Sequence, residues 1–437
     1  MDFTAFHYKD LQDVRNEMDM LGVKLPLSEN IDILKQPLSF GKLTAPNRIA
    51  IQPMEGCDGT ADGRPDEFTL RRYDRFAKSG AGLIWEEATA IVEEGRANPR
   101  QVVLKKENVD SFKAMVEKIK ETSLKENGFE PVVICQMTHS GRYSKPTGTP
   151  APLIAYNNPI FEKDNPIPQE RIVTDDYLRA LEEKFGEAAR LAELSGFDGA
   201  DVKCCHRYLL CETLSGFTRP GEYGGSFENR TRLYLNAIRN AQAATGENFL
   251  ITSRLNVYDG FPYPYGFGVN AEDGLKFDPT EPIKLVKILH EELGMPLLDI
   301  TIGNPYVNPH VNRPADHGPY DPPEHPLEGV ARMFDCISTV RAAVPGMKII
   351  SSSHSYMRQF SPYLAAGAVE SGIADMAGFG RMAFAYPDFA KDMLYGNGFD
   401  EKKTCIACGK CSELMRMGKV AGCVIRDGGL YLPIYKA

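Results

Sequence analysis

The stretch DDYLRALEEKFGEAARLAELSGFDGADVKC, residues 175–204, decides the fold. Its first part has apolar residues three and four positions apart and a glycine at its exit, which predicts an amphipathic helix. The short apolar run Ala200–Cys204 that follows predicts a buried strand. The chain therefore passes from helix to strand within one short unit.

The same unit recurs along the chain. Between the strand candidates lie helical stretches such as ENVDSFKAMVEKIKETSLKENG, residues 107–128. Eight repeats of strand and helix predict an α/β protein with a parallel (β/α)8 TIM barrel, whose site lies at the C-terminal ends of the strands. The other seven strand candidates are Ile49–Pro53, Gly82–Glu87, Val132–Gln136, Phe249–Arg254, Leu297–Thr301, Lys348–Ser352 and Asp375–Gly378.

Three regions are expected. Residues 1–35 form an N-terminal helical extension, residues 36–396 the barrel, and residues 397–437 a C-terminal cysteine-rich, cluster-binding tail. Within the barrel, the segment Pro305–Pro326 is too long for an ordinary turn between strand and helix. It is therefore predicted to be a functional loop over the barrel mouth.

Four cysteines in the tail have the spacing C-x2-C-x2-C-x11-C, at Cys405, Cys408, Cys411 and Cys423. Three thiolates in one loop and a fourth from a later turn can close around a cubane iron–sulfur cluster, because each iron needs its own soft ligand. A structural zinc usually takes its cysteines as two separated pairs, so the grouping argues against zinc, which stays the alternative. The tail is thus predicted to bind a 4Fe–4S cluster.

Charge, hydropathy and cysteine distribution restrict the binding partners and the cellular compartment that can be expected. The 437-residue chain has a formal net charge of −9, which gives no electrostatic reason to expect nucleic acid or an anionic membrane as partner. No apolar run approaches the ~20 residues that span a bilayer. The acidic start of the chain is unlike a secretory signal, and the other cysteines are scattered. A cytoplasmic protein is expected.

Motifs at the strand ends carry a family resemblance. They read NRIAIQPMEG (47–56), VVICQMTHSGR (132–142), GADVKCCHRYLL (199–210), RPGEYGGSFENRTR (219–232) and ADMAGFGRM (374–382). Taken in this order, they resemble the flavin-dependent old yellow enzyme family. The tail cysteines narrow the resemblance to the branch that contains dienoyl-CoA reductase and trimethylamine dehydrogenase, in which a 4Fe–4S cluster follows the barrel.

The resemblance implies FMN at the barrel mouth. The amide of Gln136 can donate and accept at the mixed edge of the flavin ring. The cation of Arg254 is implied to lie where negative charge settles on reduction, and Arg381 to pair with the phosphate. The full set implied to bind the cofactor is Pro53, Met54, Glu55, Ala88, Gln136, Arg254, Ser353, Gly380 and Arg381.

The motif KCCHRY, residues 203–208, is implied to be catalytic. Relatives have here a pair of residues that holds a substrate oxygen, then a tyrosine that protonates the substrate. This chain keeps His206 and Tyr208 but has Lys203 at the first position. An ammonium there would hold a carboxylate or an enolate oxygen strongly. Alternatively, Lys203 pairs with a carboxylate such as Glu55 or Asp201.

Three further residues stand out. Glu55 lies where relatives usually carry a small polar residue or cysteine near flavin N5, and an anion there would lower the flavin potential unless it turns toward a lysine. On the long loop, Tyr306 and His310 are candidates for contacting substrate, while solvated side chains on a proline-rigidified loop are the alternative.

The predicted function is an FMN and 4Fe–4S dependent ene-reductase that reduces a C=C bond conjugated to a carbonyl or carboxylate, with the proton from Tyr208. Only residues 424–437 follow the last cysteine, so an external electron donor is expected, either a ferredoxin-like protein, a flavoprotein subunit or NAD(P)H.

Two alternatives stay open. An enzyme of the trimethylamine dehydrogenase type would oxidise an amine and pass electrons out through the cluster. Its amine site should have aromatic side chains around the substrate cation. The sole tryptophan, Trp85, cannot be assigned to such a site from sequence. A flavin-free lyase would use Lys203 as a Schiff base and the cysteines as a zinc clip.

Overall fold

A closed barrel of eight parallel strands forms the centre of the molecule. The computed structural model describes residues 5–273, 275–316, 320–396 and 398–437. Its strand order is β10-β3-β4-β5-β6-β7-β8-β9, and every neighbouring pair is parallel. The predicted TIM barrel is confirmed. The strands are β1 Leu38–Phe40, β2 Leu43–Ala45, β3 Ile49–Ile51, β4 Leu83–Ala90, β5 Val132–Thr138, β6 Gly199–Val202, β7 Leu250–Asn256, β8 Leu297–Thr301, β9 Lys348–Ser351 and β10 Met376–Phe379.

Helices surround the barrel. The long helix after β5 shows why they form where they do, since the Thr174 hydroxyl accepts from the Tyr177 N–H and two aspartates follow in the first turn. The described helices are α1 Leu11–Leu21, α2 Glu67–Ala77, α3 Val109–Asn127, α4 Pro159–Glu162, α5 Asp175–Leu194, α6 Leu209–Leu214, α7 Phe227–Ala244, α8 Thr280–Lys287, α9 Pro309–Asn312, α10 Pro326–Ala343, α11 Ser361–Glu370, α12 Arg381–Ala385, α13 Phe389–Tyr395, α14 Lys410–Arg416 and α15 Gly428–Lys436.

A short antiparallel hairpin, β1–β2, was not expected from the sequence. It packs its apolar residues Leu38, Phe40 and Ala45 against the residues that begin the barrel strands. The hairpin thereby covers the N-terminal end of the barrel. Trp85 belongs to the same cluster, and the structure therefore places it inside the barrel and away from the mouth.

Strand β4 extends beyond its predicted end at Glu87. Two adjacent glutamates read as the end of a buried strand, because charged residues are rarely buried without a partner. In the structure the strand continues to Ala90 past a shift in register, and Glu87 accepts from the guanidinium of Arg72 at 2.5 Å. Arg72 lies on α2, and the periodicity of the sequence does not reveal that it pairs with Glu87.

The N-terminal segment packs on the outside of the barrel. Tyr8, Val14 and Leu25 join a buried cluster with Leu327 and Phe334 of α10. The predicted region boundary at residue 397 falls on a residue outside the described part of the chain. In the described residues no helix is long and apolar enough to cross a membrane.

The tail is fastened to the barrel by charge and by backbone contacts. The guanidinium of Arg71 donates to both carboxylate oxygens of Asp427 at 2.9 and 3.1 Å. The N–H of Ala421 donates to the carbonyl of Gly56 at 2.7 Å. Because Gly56 lies in the loop after β3, the second contact joins the tail directly to the barrel mouth.

The Asp427 contact gives a stability prediction. Asp427→Asn should lower the free energy of unfolding by about 1 kcal/mol, since the ion pair is only partly buried. In the Asp427→Asn variant, limited proteolysis should cut the tail faster than in the wild type and before it cuts the barrel. The control Glu228→Gln removes the exposed ion pair with Lys284 and should change neither reading. Equal proteolysis of the two variants would show that Asp427 does not hold the tail.

Candidate active site

One cavity opens at the C-terminal ends of the barrel strands and encloses about 1020 Å³, including its open mouth. Every residue predicted from the sequence to bind the cofactor or to act in catalysis lines it. These residues are Pro53, Met54, Glu55, Ala88, Gln136, Lys203, His206, Tyr208, Arg254, Ser353, Gly380 and Arg381. The loop residue Tyr306 also lines the cavity, whereas His310 lies in a separate groove beside Tyr320. The individual roles of these residues stay predictions.

A layer of buried polar groups forms the floor of the cavity. The amide of Gln136 donates to Asp201 at 2.6 Å, and the Trp85 indole donates to the same carboxylate at 3.0 Å. The guanidinium Nε of Arg254 lies 3.1 Å from Asp299. Burial raises the pKa of Asp201 to about 7 and that of Asp299 to about 6, the latter opposed by Arg254. Arg254 is therefore a buried, paired cation and not part of a surface salt bridge.

The cavity wall also carries polar atoms without partners. In the part of the chain that the structure describes, His206 Nε2 and Ser353 Oγ are buried and have no hydrogen-bond partner. Buried polar groups are nearly always paired, so these atoms indicate a bound ligand. Ser353 has a φ of 71°, and a Cβ added at Gly380 would meet Met54 Sδ at 2.8 Å. Ser353 and Gly380 thus fit the predicted phosphate end of FMN, whereas His206 belongs to the motif predicted to hold the substrate oxygen.

Tyr208 lies at the centre of an aromatic and cationic group. Its hydroxyl is 3.1 Å from the hydroxyl of Tyr306. The ammonium of Lys203 lies 3.6 Å from the centroid of its ring. The ring of Tyr143 packs against Tyr306 with centroids 4.1 Å apart. Tyr143 and the contact between the two hydroxyls were missed from sequence, because they join three separate loops.

Burial shifts the pKa values of His206, Lys203 and Glu55 toward their neutral forms. Burial, with Arg254 and Lys203, holds the pKa of His206 well below its usual value, so the imidazole is neutral. Burial lowers the pKa of Lys203, and the charge of Glu55 opposes this. Burial raises the pKa of Glu55, while Lys203 and a 2.7 Å hydrogen bond from Asn98 oppose it. Lys203 thus lines the cavity and also has Glu55 as its electrostatic partner.

The loop that carries the KCCHRY motif is held in an unusual backbone conformation. His206 and Arg207 have φ values of 61° and 63°, which cost free energy in residues other than glycine. The buried guanidinium of Arg207 pairs with Asp259 at 3.1 Å and donates to the carbonyl of Tyr265 at 2.8 Å. It also donates to the Tyr156 hydroxyl at 2.9 Å. These contacts overcome the strain, and Arg207 was missed because arginines usually face solvent.

The four tail cysteines line a second cavity of about 360 Å³. Cys411 and Arg381 line both cavities, so one wall separates the two sites. Backbone N–H groups point at the sulfurs, from Ala407 to Cys405 at 3.4 Å and from Arg426 to Cys423 at 3.3 Å. Donors of this kind stabilise thiolates bound to an iron–sulfur cluster.

Among the described residues, no group of three or more His, Cys, Asp or Glu side chains is placed to hold a metal ion. This finding supports neither a zinc site nor an iron–sulfur cluster, and both stay predictions from the cysteine spacing.

Comparison with known proteins agrees with this geometry. The family model described as NADH:flavin oxidoreductase / NADH oxidase matches residues 34–267, more than half of the chain. The chain belongs to this family. A flavin-dependent oxidoreductase is thereby favoured over the flavin-free lyase, and FMN is the cofactor that the family supports.

Two relatives illustrate the range of similarity. The NADH:flavin oxidoreductase FG08077 of Gibberella zeae is 28% identical over 286 residues, 61% of this chain and 66% of that protein. The cinnamate reductase of Clostridium sporogenes is 25% identical over 400 residues, 87% of this chain and 55% of that protein. The chain therefore spans less than two thirds of the length of either relative.

Two solved structures share the fold. A complex of 2-naphthoyl-CoA reductase with 2-naphthoyl-CoA superposes with a TM-score of 0.74 and 22% identity, covering 90% of this chain and 57% of that one. Histamine dehydrogenase from Rhizobium sp. 4-9 superposes with a TM-score of 0.70 and 20% identity, covering 91% and 53%.

The buried Arg207 contacts give a prediction for the site. Arg207→Met leaves the buried carboxylate of Asp259 without its cation, which should cost about 3 kcal/mol or more in the free energy of unfolding. The variant should also release bound flavin more readily. The control Arg179→Met removes an exposed arginine that pairs with Asp176 and Glu222, and it should leave the free energy of unfolding nearly unchanged. Equal costs in urea unfolding would contradict the proposed role of Arg207.

Proposed function

We propose that this protein is an ene-reductase that saturates a C=C bond conjugated to a carbonyl or carboxylate. The observation that carries the proposal is the convergence of Lys203, His206 and Tyr208 on one cavity whose wall also holds the residues that fit FMN. FMN, when bound, would supply the hydride. The similarity to a cinnamate reductase supports a substrate with an unsaturated bond next to a carboxylate.

Lys203 and His206 are proposed to hold the substrate oxygen. The neutral imidazole can donate one hydrogen bond, and its Nε2 atom is free in the described residues. The ammonium of Lys203 adds charge, which attracts a carboxylate or the negative charge that develops on an enolate oxygen. Together they would orient the double bond beside the Tyr208 hydroxyl.

Tyr208 is proposed to give a proton to the α carbon of the substrate. Burial raises the pKa of its phenol well above the usual value, so it stays protonated before the reaction. The nearby ammonium of Lys203 would stabilise the phenolate that forms when the proton leaves. A general acid so positioned contributes typically ~10²–10⁴-fold to the rate.

Electrons are proposed to enter singly through a 4Fe–4S cluster held by the four tail cysteines. The supporting observation is that Cys411 lines both the cysteine cavity and the main cavity. The donor to the cluster would be a ferredoxin-like protein or a flavoprotein subunit, whereas NAD(P)H would have to dock over the flavin itself and give a hydride.

A dehydrogenase for amines is the second candidate, favoured by the fold shared with histamine dehydrogenase and by the rings of Tyr143, Tyr208 and Tyr306. Tyrosine rings can surround an ammonium ion. Here the cation position over Tyr208 is already taken by Lys203 at 3.6 Å. A substrate cation would meet that charge, so the reductase is the better supported function.

The function can be tested by anaerobic assays with enones, enoates, acyl-CoA thioesters and methylamines. The wild-type protein should reduce an enone, enoate or enoyl thioester and leave methylamines unchanged. Tyr208→Phe keeps the ring and removes the acidic proton, so substrate reduction should slow by roughly 10²-fold or more while flavin reduction is nearly unchanged. Oxidation of an amine with no reduction of any alkene would favour the second candidate.

The cluster proposal has its own test. Cys411→Ser should remove the broad visible absorption of an iron–sulfur cluster and block electron entry from a one-electron donor, because one iron loses its soft ligand. FMN photoreduced in place should still reduce substrate. The control Cys336→Ala changes a buried thiol on α10, outside the tail, and should keep the absorption. Stoichiometric zinc without iron or sulfide in anaerobically purified protein would overturn the proposal.

A further inference from the structure

We propose that Tyr306 completes a two-phenol proton relay, in which Tyr306 passes its proton to Tyr208 as Tyr208 protonates the substrate. This inference rests on the proposed ene-reductase function. It adds a second proton-carrying residue, from the loop after β8. It also explains how the buried Tyr208 regains its proton from water.

The first observation is the contact between the two phenols. Their hydroxyl oxygens lie 3.1 Å apart, within hydrogen-bond distance, and either can donate. Tyr208 is only 2% exposed, whereas Tyr306 is partly exposed to solvent. A proton can therefore reach Tyr208 from water by way of Tyr306.

The second observation is that Tyr306 is held in place by its surroundings. Its backbone N–H donates to the Asn304 side chain at 2.8 Å. The amide of Asn304 in turn donates to the Tyr143 hydroxyl at 2.9 Å, and the Tyr143 ring packs on the Tyr306 ring with centroids 4.1 Å apart. The phenol of Tyr306 is therefore fixed and its hydroxyl faces Tyr208.

The third observation joins this loop to the tail. The carbonyl of Pro305, next to Tyr306, accepts from Arg313 at 2.9 Å and from Arg416 at 3.0 Å. Arg416 ends α14, the helix that begins beside Cys411. The backbone that carries Tyr306 is thus held by the same segment that carries the cysteines.

The relay balances in protons and electrons. The C=C π bond is replaced by two C–H bonds, one formed at the β carbon with hydride from the reduced flavin and one at the α carbon with the proton of Tyr208. Tyr208 breaks its O–H bond and gains the proton of Tyr306. The negative charge is left on the Tyr306 oxygen, and water at the mouth reprotonates it.

The two transfers are expected to occur together. A phenolate on Tyr208 would be nearly sealed from water, and the ammonium of Lys203 beside its ring would offset only part of the cost of burying that charge. Transfer from Tyr306 moves the charge to a group that solvent reaches. The rate of substrate reduction should therefore depend on both hydroxyl protons.

The experiment uses single-turnover reoxidation of the reduced enzyme by its substrate, in mixtures of H2O and D2O. In the wild-type protein, the rate of reoxidation should depend on the deuterium fraction along a curve, because two protons move in the rate-limiting step. Tyr306→Phe keeps the ring, so flavin binding and melting temperature should be unchanged. It should slow reoxidation by roughly 10-fold and make the dependence linear. The matched control Tyr320→Phe alters a tyrosine of the same loop that contacts His310 outside the cavity, and it should match wild type.

A double-variant comparison separates the possible roles. In a relay, Tyr208→Phe/Tyr306→Phe should be no slower than Tyr208→Phe alone, because Tyr306 acts only through Tyr208. Multiplying effects would mean two independent acids and would overturn the relay. A Tyr306→Phe variant with wild-type rate and curvature would also overturn it. If Tyr208→Phe itself reacted at the wild-type rate, the fault would lie in the proposed function and not in the relay alone.

Discussion

Positive charge concentrated at the barrel mouth is the constraint on which the rest of the site depends. Arg254 is balanced by Asp299, but in the described ranges of the chain neither Arg313 nor Arg381 has a carboxylate partner. Burial and the charge of Arg381 lower the pKa of Arg313 to about 10, a sign that the two cations repel. An FMN phosphate and a cluster bound by four thiolates would both supply negative charge here. Arg381 lines both cavities, so one cation would face both groups across the wall that separates them.

A buried charge pair also fixes the loop that carries the KCCHRY motif. Two consecutive residues in the left-handed region, His206 and Arg207, persist only because Arg207 exchanges solvent for three buried partners. With this backbone conformation, His206 lines the cavity and Tyr208 lies directly before α6. A carboxylate on a distant loop, Asp259, therefore determines the geometry of a motif that reads as local in sequence.

The sequence predicts the barrel well because each strand is a short apolar run, and parallel strands buried on both sides need no long-range information to be recognised. The candidate site follows for the same reason, since its residues stand at strand ends that the fold must bring together. The features that could not be predicted from the sequence depend on contacts between segments that are far apart in the chain. Arg72 allows β4 to continue through Glu87, the β1–β2 hairpin covers the barrel bottom, and Arg207 turns inward. His310 differs, because its loop turns it toward Tyr320 and away from the cavity.

The long loop after β8 shows how the tail and the barrel act as one site. Its Pro305 carbonyl receives two guanidinium groups, one from the loop itself and one from α14 of the tail. Arg313 also donates to Ser412, which lies next to Cys411. Displacement of the tail would therefore move both a wall of the flavin cavity and the backbone beside Tyr306. In the proposed ene-reductase, which must deliver a hydride and a proton to adjacent carbons, fixing the cysteine segment and the loop of Tyr306 to one another would keep both deliveries aimed at the same substrate.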